Sequence, residues 1–197
     1  MHTIQTTPTN LSGPRRLHLP AAPSSTMRHL IADLDEITAV MPDEHAPSRV
    51  AATLAGHLSC ATLLGPAHLE SSADRYRTNV VHVHPGGAYS IVALVWQPGQ
   101  RTSIHSHRSW CVVGVYVGSE VERTFRWSDG QLVEHSRQRL DSGSVTWMTD
   151  GDHDIHDVAN ATKATTVSIH VYGLDYRTSG TSILNTHPEP ITAERVA

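Results

Sequence analysis

Cysteine is scarce in this chain, and the scarcity is informative. Two residues, Cys60 and Cys111, cannot build the disulfide framework of a small secreted domain, and a reducing compartment would keep both as thiols. Long apolar runs are missing as well. The longest, Ile91 to Trp96, is far too short to cross the hydrocarbon of a bilayer, so no membrane partner is expected. The opening stretch MHTIQTTPTNLSGPRR lacks the apolar core of a secretory signal, which leads to the expectation of a cytoplasmic location. Excess positive charge is absent too: 15 Lys and Arg stand against 19 Asp and Glu, which argues against a nucleic-acid partner. Its 197 residues suit one domain, and 39% hydrophobic residues suit a globular chain.

What the chain does have is histidine, 15 of them. Imidazole is the commonest metal ligand and the side chain that titrates near neutral pH, so spacing must separate ligands from ordinary surface histidines.

The pattern along the chain divides it into three parts: a loose arm over residues 1–25, rich in Thr, Pro and Ser; a folded domain over 26–185; and a polar tail over 186–197. Two helices open the domain. In the first, Met27, Leu30, Ile31, Leu34, Ile37 and Val40 recur at steps of three and four. The second runs from Ser48 to about Leu58, after the helix-starting Pro47. Both are expected to pack an apolar face on a sheet. From about Asn79 the sequence breaks into short strands separated by the turn dipeptides Pro98-Gly99, Asp129-Gly130, Ser142-Gly143 and Asp150-Gly151. Such punctuation indicates an all-β sandwich or barrel.

His105 and His107 stand two apart in a stretch that reads as strand, so both imidazoles leave the same face and can reach one ion. His82 and His84 have the same spacing but sit directly before the turn Pro85-Gly86-Gly87, and are read as a polar strand edge. The stretch from Gly99 to Gly118 resembles the first motif of the cupin superfamily: a glycine, five intervening residues, His-x-His, and a second glycine closing the hairpin. The usual glutamate ligand is missing. Cys111 occupies that place and Glu120 comes too late. The second cupin motif should come from GDHDIHDVAN, where His153 and His156 compete. His156 is chosen because Asn160 follows it at the His-x-x-x-Asn spacing of that motif. His153 lies beside the Asp150-Gly151 turn.

The strand TTVSIHVYG places Ser168, His170 and Tyr172 on one face, where a hydroxyl, an imidazole and a phenol can form a hydrogen-bonded chain. Its bland alternative is a strand with a polar outer face. Taken with the three histidines, this strand resembles the cysteine dioxygenase family over roughly residues 76–174. The resemblance implies an all-β cupin jelly roll carrying two N-terminal helices, Fe(II) on His105, His107 and His156, and oxidation of a small thiol by O₂ to a sulfinate. It implies that Tyr172 is the active-site tyrosine, with Ser168 and His170 behind it. It also raises a thioether between Cys111 and Tyr172, as in the animal enzymes; a buried free thiol is the alternative.

The family's cysteine-specific pattern is Tyr-x-Arg-Asn, whereas this chain has Tyr76-Arg77-Thr78-Asn79. Thr78 takes the arginine's place, and Arg77 should point to the opposite face. The expected substrate-binding residues are Tyr76, Arg77, Thr78 and Arg177, with Arg101 and Arg108 as further carboxylate clamps. The resemblance implies cysteine or a related mercapto-carboxylate such as 3-mercaptopropionate as substrate, and the expected assembly is a monomer or small homo-oligomer. A cupin oxygenase for a non-thiol substrate and a non-catalytic ligand- or metal-binding cupin are the alternatives.

Overall fold

The computed structural model describes residues 23–40 and 45–190, the side chains of Asp152 and His153 excepted. Most of the predicted N-terminal arm and the end of the predicted tail therefore lie outside the described residues. Two helices lead: α1 (Ser25–Val40) and α2 (Ala46–His57). The Ser24 hydroxyl accepts the Met27 backbone N–H at 3.0 Å and so caps α1. The second helix starts earlier than the sequence suggested, because Pro47 is tolerated inside a first turn.

Ten strands follow: β1 (Arg77–Val83), β2 (Ser90–Trp96), β3 (Ile104–His107), β4 (Cys111–Val117) and β5 (Ser119–Ser128), then β6 (Gln131–Asp141), β7 (Val145–Met148), β8 (Gly151–Asn160), β9 (Thr166–Tyr172) and β10 (Ile183–His187). They form two antiparallel sheets with strand orders β1-β2-β9-β4-β7 and β10-β3-β8-β5-β6. Without the edge strands β1 and β10, the orders 2-9-4-7 and 3-8-5-6 are those of a jelly roll. The fold is a cupin, with two open sheets facing each other. Gly99 and Gly118, the motif glycines, both have positive φ, at 80° and 84°, which an L side chain resists.

Helices α1 and α2 cover the outer face of the first sheet. Met27, Leu30, Leu34, Val50 and Leu54 join Ile91, Ala93, Val112, Ile169 and Val171 in one buried cluster. The opposite faces of the same strands line the sandwich interior with Val92, Leu94, Trp96, Val113 and Tyr172. Strand β9 is thus buried on both sides, so the polar row Ser168, His170, Tyr172 is an inner face and not a solvated one. Strand β10 runs across residue 185 and pairs with β3 beside the histidines.

Candidate active site

Register brings the three histidines together. His105 pairs with His156 across β3 and β8, and His107 lies two residues along β3. The Nε2 atoms of His107 and His156 are 3.1 Å apart, and one nitrogen of each of the three rings lies within 4.8 Å of the others. Each Nδ1 is turned outward to a separate partner. His105 meets the Ser103 carbonyl at 2.9 Å, His107 the Ser182 carbonyl at 3.4 Å, and His156 the Glu122 carboxylate at 2.8 Å. These bonds place the proton on Nδ1 and leave the Nε2 lone pairs converging, the arrangement a metal requires. Burial, with the neighbouring His156 adding to it, pushes His105 down to about 3 and His107 to about 2, so both rings are neutral at physiological pH. No carboxylate belongs to the convergent group among the described residues. The donor set fits iron held on nitrogen alone.

Glu122 is the site residue that sequence reasoning missed. Burial would raise its pKa, but the His156 imidazole and the Gln138 amide, which donates to Oε2 at 2.7 Å, hold it down. The inward alternation of β5 gives a hint of it; the pairing with His156 depends on a register between strands far apart in sequence.

Facing the histidines from β9, the Tyr172 hydroxyl lies 3.1 Å from His170 Nδ1, and His170 Nε2 lies 2.9 Å from the Ser168 hydroxyl. The Trp96 indole donates to the same serine at 3.1 Å. Burial drives the His170 pKa down to about 3 and raises that of Tyr172, so both stay neutral. The rings of Tyr172 and His107 are 5.5 Å apart. Cys111 is the cross-strand partner of Tyr172 between β4 and β9, fully buried, its thiol pKa raised by burial and by the Glu122 charge.

Between the two sheets is a cavity of about 50 Å³ bounded by the three histidines, Tyr172 and His170. Tyr76 and Thr78 line it, with Tyr176, Thr181 and Ser182 from the segment after β9. The expected arginines do not. Arg77 turns away to Glu70 at 2.7 Å and to the Asn79 side chain at 2.9 Å, as strand alternation demands when Thr78 faces inward. Arg177 binds Asp175 at 2.9 Å on the exterior. Arg101 is held by Asp157, and Arg108 by the Ile183 carbonyl. Among the described residues lining this cavity there is no arginine or lysine.

Residues 21–180 match the family model for cysteine dioxygenase type I. The chain belongs to the cysteine dioxygenase family. Membership makes it a non-haem iron thiol dioxygenase. Cysteine dioxygenase type 1 of Rattus norvegicus is 29% identical over 162 residues, covering 78% of this chain and 76% of the relative, and that of Mus musculus matches equally. A cupin superfamily protein of Desulfitobacterium hafniense is 15% identical, with a TM-score of 0.44 over 59% of this chain and 94% of its own. No helix among the described residues is long and apolar enough to cross a membrane.

Proposed function

We propose that the protein binds Fe(II) through His105, His107 and His156 and converts a small mercapto-carboxylate to its sulfinate. The reaction balances without a further co-reactant: a thiolate RS⁻ and one O₂ give RSO₂⁻, both oxygen atoms ending on sulfur. Ferrous iron, when bound, supplies a redox-active Lewis acid at which thiolate and O₂ can meet. The convergence of three outward-anchored imidazoles opposite a buried tyrosine is the observation that carries this reading.

The protein's own groups divide the remaining work. The carbonyls of Ser103 and Ser182 and the Glu122 carboxylate fix the ligand rings, so their lone pairs are oriented before the ion arrives. Tyr172 presents a neutral phenol whose direction is set by His170 and Ser168. The small cavity favours a short thiol. Tyr76 and Thr78 line it and, among the described residues, no arginine does, so neutral donors stand where an arginine would clamp the carboxylate of a mercapto-carboxylate. Iron-loaded protein should consume O₂ with cysteine or a related mercapto-carboxylate such as 3-mercaptopropionate, and zinc-loaded protein should consume none. Absence of thiol-dependent uptake in iron-loaded protein would overturn the assignment.

The pairing of Cys111 with Tyr172 across β4 and β9 supports a thioether between them. Joining Sγ to the ring carbon next to the hydroxyl removes two hydrogens, with O₂ as the oxidant. Intact mass of turned-over protein under denaturing conditions should therefore fall by two hydrogens, and Cys111→Ser should abolish the loss.

A further inference from the structure

The last strand gives the site more than a wall. β10 is an edge strand, hydrogen-bonded to β3 on one side only. It runs antiparallel to the strand that carries His105 and His107, with Ile183 opposite His107 and Thr186 opposite His105. The register shifts between those two pairs, so the Ile183 end is set apart from the regular ladder and needs a hold of its own. Thr181, Ser182 and Ile183 at that end line the cavity. The Ser182 carbonyl is also the outer partner of His107 Nδ1. Of the three anchoring bonds this is the longest, at 3.4 Å against 2.9 Å for His105 and 2.8 Å for His156. A bond so near the limit of useful length is the one most readily lost if its acceptor drifts.

Arg108, the residue after His107, holds that acceptor in place. Its backbone N–H donates to the Ser182 carbonyl at 2.9 Å, and its side-chain Nε donates to the next carbonyl, that of Ile183, at 2.9 Å. Two donors of one residue thus grip two consecutive carbonyls of the segment. The Ile183 N–H closes on the Thr181 hydroxyl at 3.1 Å, which fixes the turn from which those carbonyls project. Unlike Arg77, Arg101 and Arg177, Arg108 has no acidic partner among the described residues. Its side-chain bond is charge-assisted, and such bonds are stronger than those between neutral groups. Without it, this corner of the site hangs on backbone bonds at the end of an edge strand.

We propose that Arg108 is a positioning residue for the metal site: by clasping Ile183 it holds the Ser182 carbonyl where His107 needs it. This role rests on the three-histidine reading above and adds to it what keeps one ligand oriented. An imidazole whose outer nitrogen has a fixed partner keeps its tautomer and its ring direction, and one whose partner wanders keeps neither. Because Arg108 is joined directly to His107, one short segment supplies both the ligand and the latch. The clasp couples the cavity wall to the ligand as well. Thr181, Ser182 and Ile183 cannot swing away from the cavity without taking the Ser182 carbonyl from His107.

Hydrogen exchange at the ligand rings tests this without turnover. Zn²⁺ is redox-silent and takes the same nitrogen donors, so zinc-loaded protein labelled with ¹⁵N on histidine reports each Nδ1–H by NMR. In Arg108→Ala the His107 Nδ1–H should exchange with solvent faster than in the parent, while those of His105 and His156 keep the parent's rates. Iron affinity of the same variant should fall about 10-fold in a chelator competition, the lower end of the loss expected when a ligand's outer partner is disturbed. Arg108→Lys, whose ammonium can donate to the same carbonyl, should recover most of both. Parent-like exchange and affinity in Arg108→Ala would overturn the proposal and leave the metal site standing. So would faster exchange at all three histidines together, which marks a general loosening of the fold, or a lysine variant no better than alanine. Failure of the parent to bind zinc or iron would overturn the three-histidine reading, and the clasp with it.

Discussion

The three convergent histidines differ in what holds their outer nitrogens, and that difference has measurable consequences. Two lean on backbone carbonyls, which no side-chain substitution removes. His156 leans on Glu122, the only one of the three anchors that is charged. A carboxylate there raises the basicity of the ring and fixes its orientation. Glu122→Gln keeps the shape and removes the charge, so iron affinity should fall about 10–100-fold in a chelator competition, with the fold unchanged. An affinity equal to the parent's would mean that the carboxylate contributes nothing to the site. The arginines teach the complementary lesson. Arg77 and Arg177 each have an acidic partner on the exterior, and a satisfied guanidinium has no reason to enter a small apolar-backed cavity.

Strand β9 and its neighbours show how one element serves two cores. Its valine and isoleucine row meets the helices, while its serine, histidine and tyrosine row meets the site. The helix layer therefore packs directly behind the strand that carries Ser168, His170 and Tyr172. Close approach of α2 to β4 is made possible by Gly114, where an added Cβ would lie 2.9 Å from Leu54 Cδ2 and 3.0 Å from Leu58 Cδ1. Gly114→Val should destabilise the protein by about 1–3 kcal/mol in urea unfolding, since the leucines it meets are themselves buried. Iron affinity of the folded fraction should not change, because the ligands sit on the other sheet. The signals for these strands were legible: turn dipeptides marked most of their ends, and alternation marked their faces. Strand β10 escaped notice because its residues, ILNTH, are mostly polar and only its pairing to β3 makes it a strand.

Across the whole molecule, buried ionisable groups set the response to acid. His105, His107 and His170 are held neutral, with pKa values of about 3, 2 and 3, whereas the unfolded chain protonates them near 6.5. Below pH 6.5 the unfolded state binds more protons, so these groups remove stability as pH falls toward their folded values. Glu120 acts with the opposite sign between 4.5 and about 7, but it is one group against three. Metal-free protein should therefore unfold at lower urea at about pH 5 than at pH 7. A flat profile would mean that the histidines are solvated.

Local spacing alone determined a good deal: two histidines on one strand face, a third marked by an asparagine four residues on, the polar row of β9, and an all-β architecture behind two amphipathic helices. These are properties of a period, and a period is written in adjacent residues. Tertiary structure decided the rest. The anchoring of His156 by Glu122, the outward turn of the arginines and the pairing of β10 each depend on which distant strand lies alongside. Register is settled by the packing of a whole sandwich, and no single segment contains that information.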